Sequence, residues 1–243
     1  MLFKKYLFLL YLLLYTTFCV AENEIPDFFE VDYDLYSNKT KIGLMSRQFY
    51  QADDGNYVFH SESKTTGFIS FFRKDHILEV SNWAFINSSF KPLNYKYQHT
   101  GGKKDRDVEI QFNWDYEKII NRVNESTWHM ETETGILDKL LYQLTIMSDL
   151  KSGIVPEKYI IADGGKIKQY FFTRIGDETI KTPLGEFKTV KLSRQKLNNK
   201  RKTFLWCAYD LNFLPVKVIN EEKDNRITTA TIKSLKGFGF NKK

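Results

Sequence analysis

Apolar and polar residues alternate along most of the chain from Phe29 onward. In FEVDYDLY, Phe29, Val31, Tyr33 and Leu35 fall on one face and Glu30, Asp32 and Asp34 on the other, the period-two pattern of a half-buried strand. IGLMSRQFYQ and YVFHSESK flank Asp53-Asp54-Gly55-Asn56. That cluster can supply the positive φ of a tight reversal, so the two runs predict a hairpin. Further strand-like runs follow at Gly67 to Phe72, His76 to Ile86, Leu93 to His99, Val108 to Trp114, Ile119 to Val123 and Thr127 to Thr132. Asn87-Ser88-Ser89 and Gly101-Gly102-Lys103-Lys104 separate them as turns.

One segment changes period. In GILDKLLYQLTIMSDLKSG, Ile136, Leu137, Leu140, Leu141, Leu144 and Met147 recur at helical spacing and Gly153 is placed to end the run, which predicts a single amphipathic helix from Ile136 to Asp149. Strand patterns then resume at Lys158 to Ala162, Ile167 to Ile175, Glu178 to Lys181, Glu186 to Arg194, Thr203 to Tyr209, Pro215 to Asn220 and Ile227 to Leu235. Gly164-Gly165, Pro183-Leu184-Gly185 and Asp224-Asn225 read as the turns between them. The order predicts a mainly β fold: a large curved antiparallel sheet, half-open barrel or sandwich-like, with one amphipathic helix packed against it.

The opening MLFKKYLFLLYLLLYTTFCVA has basic residues at Lys4 and Lys5, an apolar run from Tyr6 to Leu14, and Ala21 ahead of Glu22. This is the layout of a secretory signal peptide. The expected organisation is a signal peptide over 1–21 and a single β-rich periplasmic domain over 22–243, with no transmembrane segment after signal removal. Of the 2 cysteines, Cys19 would leave with the signal and Cys207 would have no internal partner. Stability then rests on core burial, which a chain of this size supports without a staple.

Charge and candidate chemistry narrow the function. The formal net charge of +6 is spread along the chain. The densest basic stretch, Asn199-Lys200-Arg201-Lys202, sits between two strand-like runs as a solvated turn, so nucleic acid is not expected as a partner and weak attraction to an anionic membrane surface is the better use of the charge. The 4 histidines, His60, His76, His99 and His129, are scattered over different strands, so no metal site is expected. Asp105, Asp107 and Glu109 share one strand face opposite Val108, Ile110 and Phe112. They are the one carboxylate set that could serve an envelope-polymer hydrolase, although the pattern is also that of an ordinary half-solvated strand. No nucleophile elbow, phosphate loop or dinucleotide fingerprint is present. Cys207 lies in the apolar FLWCAY, a setting that leaves a thiol inert. Asn38-Lys39-Thr40, Asn87-Ser88-Ser89 and Asn124-Glu125-Ser126 match the glycosylation sequon, which matters only in a host with that machinery.

Aromatic residues make up 16% of the chain, with 20 Phe and 14 Tyr. GFISFF is apolar on both strand faces except at Ser70, so as a strand it needs cover on both sides. Core packing or an apolar cavity would provide it, and a curved sheet closed by one helix leaves room for a cavity. The candidate cavity residues are Phe68, Phe72, Trp114, Leu140, Leu144, Trp206 and Val218.

KTTGFISFF, FKPLNYKYQHTGGKKDRDVEIQFNW, GILDKLLYQL, ADGGKIKQYFF, TPLGEFKTVKLSR and LWCAYDLNFLPVKV together resemble the DUF3108 family of exported bacterial proteins over nearly all of the expected mature chain. The resemblance brings no catalytic residue. A second, weaker likeness concerns Leu205-Trp206, the reversal at Asp210 to Leu214 and Leu214-Pro215. It is similar to a segment of the LolA/LolB type of lipoprotein carriers, whose curved sheet and helices hold acyl chains, and implies that Trp206 and Val218 fill the inner layer with Cys207 on the other face. The expectation is a periplasmic, non-enzymatic protein without cofactor that binds a lipid or other apolar ligand or an envelope protein. An assembly scaffold that recruits a partner through exposed edge strands and the hydrolase are the alternatives.

Overall fold

A computed structural model describes residues 25–197, 201–222 and 226–242. The expected signal peptide, most of the basic turn before Arg201 and the Asp224-Asn225 turn lie outside the described residues. The first arm is a meander of strands β1 (Phe29–Ser37), β2 (Thr40–Gln51), β3 (Tyr57–Thr65), β4 (His76–Ile86), β5 (Ser89–Thr100), β6 (Arg106–Asn113), β7 (Lys118–Val123) and β8 (Ser126–Glu131). Then come β9 (Ile136–Asp138), helix α1 (Tyr142–Lys151), β10 (Lys158–Ala162), β11 (Ile167–Thr182), β12 (Gly185–Lys196), β13 (Lys202–Ala208), β14 (Leu214–Glu221), β15 (Ile227–Gly237) and β16 (Phe240–Lys242).

All the strands form one sheet. Its order runs β8 to β1 in sequence, passes to β15, and returns to β9, with β16 attached beside β15. The two meanders are thus zipped at β1 and β15, where Tyr33 pairs with Ile232 and Leu35 with Ala230. Every neighbouring pair is antiparallel except β9 and β10, which are parallel. The sheet curves but does not close by hydrogen bonds: β8 and β9 are its two ends.

Strand alternation supplies the inner layer. Phe29, Val31 and Tyr33 are buried as their spacing predicts, and Phe49, Phe59, Trp83, Tyr95 and Ile110 continue the layer across the first arm. Leu192, Leu205 and Ile232 continue it across the second. α1 occupies the interior, where Tyr142, Leu144, Ile146, Met147 and Leu150 are all buried. The helix is buried nearly all round, Thr145 and Ser148 included, with Gln143, Asp149 and Lys151 its less buried positions. The departure from expectation is its start: Ile136–Asp138 are drawn into β9 by pairing with Ile160–Ala162, so the helix begins at Tyr142. Gly153, with φ +77°, follows its C-terminal turn, as expected of a glycine stop.

GFISFF is not a strand. Gly67 takes φ +66°, Gly67–Phe71 form a 3₁₀ turn, and the Ser70 hydroxyl donates to the Gly67 carbonyl at 2.6 Å. Short apolar runs do not distinguish strand from turn by periodicity, and here the positive φ at Gly67 ends the extended path after Thr65. The two runs predicted at Ile167 to Ile175 and Glu178 to Lys181 are one strand, β11, with a register shift between Arg174 and Gly176. At the other reversal, Tyr209–Leu211 form a 3₁₀ turn, and Asn212 and Phe213 take φ 48° and 60°. The Pro215 carbonyl then accepts a hydrogen bond from Tyr33 at 2.9 Å, so the reversal shapes the sheet and anchors it to β1.

Candidate functional site

Between the sheet and the start of α1 lies a cavity of 370 Å³, within the usual range for small-molecule sites. Leu35 from β1, Met45 from β2, Leu205 from β13, Val218 from β14 and Ala230 from β15 make its apolar wall. Arg47, Glu79, Lys139, Gln143 and Arg194 supply its polar groups. A second hollow of 460 Å³ adjoins it through the shared Leu35, Ile42 and Thr228 and runs to the rim beside Ile69, Arg73 and His99.

Three of the polar groups, Arg47, Glu79 and Arg194, stand where strand alternation expects apolar ones. Arg47 follows Gly43 and Met45 on the inner face of β2, Glu79 precedes Ser81 and Trp83 on β4, and Arg194 follows Val190 and Leu192 on β12. Lys139 donates to Glu79 at 3.0 Å, and Tyr95 donates to the same oxygen at 2.6 Å. Burial pushes the Glu79 carboxyl up, but Lys139, the Tyr95 hydroxyl and Arg47 outweigh it and hold the group below its usual range. Glu79 is therefore a carboxylate with its charge answered by Lys139.

The two arginines have neutral partners. Arg47 donates to Gln143 Oε1 at 2.7 Å and to Ser61 Oγ at 3.4 Å, and its guanidinium lies over Tyr33 and Phe59. Arg194 donates to the Tyr142 hydroxyl and to Thr203 Oγ1 at 2.6 Å, with its guanidinium 4.8 Å from the Tyr170 ring centre. Three cations and one carboxylate thus face a space walled by aliphatic side chains. Guanidinium groups held by hydroxyls, amides and ring faces keep charge for an incoming anion, which they bind through paired N–H donors.

Of the seven candidate residues, Val218 lines this cavity. Leu140 and Leu144 are solid core. Trp114 lies off the cavity, stacked on Phe112, with its indole N–H donated to the Pro92 carbonyl at 2.8 Å. Phe68 and Phe72 are on the exposed 3₁₀ turn rather than inside. Trp206 is also misplaced by the sequence reading: the register pairs Leu205 with Val218 and Trp206 with Lys217, so Trp206 and Val218 point to opposite faces. Trp206 packs on the outer side between Lys191 and Lys217 and donates to Glu178 at 2.8 Å. Cys207 takes the inner face. Of the groups missed in the sequence, Arg47, Glu79 and Arg194 were marked by one signal, a charged residue in an inward position of an otherwise apolar strand alternation, whereas Lys139 sits in the turn between β9 and α1 and carries no such mark.

The remaining chemical candidates sit elsewhere. Asp107 and Glu109 are on the outer face, where Gln98 donates to Asp107 at 3.1 Å and Arg122 pairs with Glu109 at 2.5 Å. Burial pushes the Glu109 carboxyl up, but Gln111, Lys96, Asn94 and Arg122 together hold it below its usual range, the opposite of what a general acid needs. Asp105 accepts from the Gly101 amide. His76 bonds Glu62 at 2.7 Å and His99 bonds Asp75 at 2.8 Å. Cys207 is fully buried, and burial pushes its thiol up to about 12. A thiol reagent is therefore expected to modify Cys207 only as fast as the protein unfolds, with labelling in native buffer and in denaturant as the comparison. Rapid stoichiometric labelling of the native protein would show that the inner face is open at this position.

Among the described residues, no helix is long and apolar enough to cross a membrane. The fold is similar to the crystal structure of a β-barrel-like protein of the domain of unknown function DUF1849 from Brucella abortus, with a TM-score of 0.59 at 8% identity over 87% of this chain and 98% of that one. Two further structures align less well. One is a candidate lipoprotein from Parabacteroides distasonis, with a TM-score of 0.34 at 13% identity over 88% of this chain and 98% of that one. The other is a candidate exported protein with a YmcC-like fold from Bacteroides fragilis, with a TM-score of 0.33 at 7% identity over 86% of this chain and 95% of that one. No curated protein matches the sequence. The match to the family described as protein of unknown function (DUF3108) extends over residues 32–232, and the chain belongs to that family.

Proposed function

We propose that this protein is an exported binding protein of the cell envelope that holds an amphipathic ligand, an aliphatic chain ending in one anionic group, in the cavity between its sheet and helix. The observation that carries this reading is the pair Arg47 and Arg194, both hydrogen-bonded to neutral groups at the polar end of an aliphatic-walled cavity. The chain lies along Leu35, Met45, Leu205 and Val218, and the anion meets the guanidinium groups. The secretory layout of residues 1–21 and the resemblance of the Leu205 to Pro215 reversal to acyl-chain carriers support the same ligand class.

A fluorescent polyene fatty acid and the corresponding neutral alcohol test it. The acid is expected to bind the wild type, and Arg194→Leu is expected to weaken it by roughly 10- to 100-fold, the equivalent of one charged hydrogen bond of about 1.5–3 kcal/mol. The alcohol should be affected far less. Leu205→Trp, which fills the apolar end, should weaken both. Equal binding of acid and alcohol by wild type and Arg194→Leu, or no binding of either, would overturn the reading.

A further inference from the structure

We propose that the rim beside the cavity docks on an anionic phospholipid bilayer through the 3₁₀ turn Gly67–Phe71 and the loop that carries Lys103 and Lys104. Phe68, Phe71 and Phe72 are 73%, 80% and 72% exposed, the three most exposed phenylalanines among the described residues, and they form one patch with Phe68 5.1 Å from Phe72 and 6.2 Å from Phe71 between ring centres. Rings left this far in water on adjacent positions mark a surface that something else covers.

The charge around the rings specifies the cover. Arg73 and Lys74 follow the patch directly, and the loop after β5 packs on the same segment. A Cβ on Gly101 would lie 2.0 Å from the Lys74 carbonyl oxygen, and His99 bonds Asp75 at 2.8 Å. That loop presents Lys103 and Lys104, both exposed. The carboxylates nearby are already engaged: Asp75 with Arg73 and His99, Glu62 with Lys64 and His76, and Asp105 with the Gly101 amide. Lys74, Lys103 and Lys104 make no ion pair among the described residues, so three lysine charges flank three exposed rings. Aromatic side chains that reach the acyl boundary with lysines at the headgroup level are the physical requirement of an interfacial anchor. A bilayer patch supplies both phases at once, whereas an acidic protein surface would leave the rings without an apolar partner.

The turn also borders the hollow that adjoins the cavity, since Ile69 and Arg73 line that hollow. The docked orientation therefore puts the rim against the lipid. This proposal stands apart from the ligand reading, because Arg194→Leu should leave docking unchanged and loss of the rings should leave binding of the soluble fatty acid unchanged.

Cosedimentation of the exported protein, residues 22–243 without the apolar run Tyr6 to Leu14 that would itself enter a bilayer, with vesicles of phosphatidylcholine, and of phosphatidylcholine with 30% phosphatidylglycerol as about the anionic share that gives a substantial surface potential, is the test. Wild type is expected to bind the anionic vesicles at least about tenfold more tightly than the neutral ones, with the difference falling as salt screens the lysines. Phe68→Ser/Phe71→Ser/Phe72→Ser and, separately, Lys74→Glu/Lys103→Glu/Lys104→Glu should each reduce binding by about tenfold or more. All six side chains are exposed, so the unfolding midpoints should stay near wild type. Phe72→Trp adds a local reporter, and the indole introduced by that substitution should shift its emission to the blue with anionic vesicles. Vesicle binding by the ring variant at wild-type strength, sedimentation of Phe72→Trp without any blue shift of the added fluorescence, or no binding by the wild type would each overturn the proposal. In the last case a protein partner takes the place of the membrane.

Discussion

Asp138→Ala is expected to lower the stability of the fold by about 3–5 kcal/mol, whereas Asp138→Asn keeps it at or above the wild-type level at neutral pH. Asp138 is fully buried at the junction of β9 and α1. One carboxylate oxygen accepts from the amides of Leu140 and Leu141, both at 2.8 Å, and the other accepts from Ser81 Oγ at 2.5 Å. The residue thus fixes the turn that leads from β9 into the helix and ties one end of the sheet to β4 in the opposite arm. Alanine leaves two buried amides and a hydroxyl without partners, at about 1–3 kcal/mol for each group that stays unsatisfied. Asparagine accepts from the same amides and donates to Ser81, without a buried charge.

The same pair of variants gives a pH signature. Burial raises the Asp138 carboxyl from its ordinary value of 3.8 to about 6, against the opposing pull of Ser81 and the two amides. The folded state therefore holds this proton more tightly than the unfolded chain. That stabilising contribution is complete below about pH 4 and is lost as pH rises through about 6, on the order of 2–3 kcal/mol in all. Urea unfolding of wild type and Asp138→Asn at several pH values between 4 and 8 should show the wild type losing ground to the variant across that window. Parallel curves would mean that Asp138 is ionised in the fold at every pH tested.

Alternation along the strands made most of the inner layer readable in advance, because a residue such as Tyr33 or Ile110 has only two faces available and its neighbours declare which one is wet. The ends of the sheet were not readable, since nothing local to Ile136–Asp138 says that a parallel partner, Ile160–Ala162, waits 24 positions on. Their helical spacing with Leu140 and Leu144 is genuine, but sheet pairing takes the first turn. Phe68 and Phe72 were drawn into the core because a strand apolar on both faces must be covered, and a positive φ at Gly67 removes the strand and with it the premise. Trp206 illustrates the register problem: apolar on an apolar strand, it still faces outward, where Lys191 and Lys217 cover it. The cavity was hidden for a related reason. Its distinguishing groups, Arg47 and Arg194, are 147 positions apart, and each alone reads as an interruption of a strand pattern.

Gly165→Ala is expected to cost about 2–5 kcal/mol, while Gly164→Ala next to it costs about 1–2. Both glycines are in the turn between β10 and β11, at φ +81° and +60°, so each alanine bears the penalty of a left-handed backbone. They differ in what a Cβ meets. At Gly165 it would lie 1.8 Å from Trp128 Cζ2 and 2.6 Å from Cη2, whereas at Gly164 the nearest atom is Arg106 Nη2 at 2.8 Å. The end of an arginine can swing aside, but Trp128 is held by its indole N–H, which donates to the Gly165 carbonyl at 3.1 Å. To admit a methyl group the ring must leave, and overpacking of that kind adds about 1–3 kcal/mol. Trp128 belongs to β8, the strand at one end of the sheet, and the Gly165 turn belongs to the other arm. Their contact joins the arms across the gap that backbone pairing leaves unclosed, so Gly165→Ala pushes the arms apart at that point. Combining it with Trp128→Ala separates the two contributions: with the ring gone, adding the alanine should cost only the backbone part, close to the cost of Gly164→Ala. If Gly165→Ala costs as much with Trp128 absent as with it present, the contact does not hold the arms together.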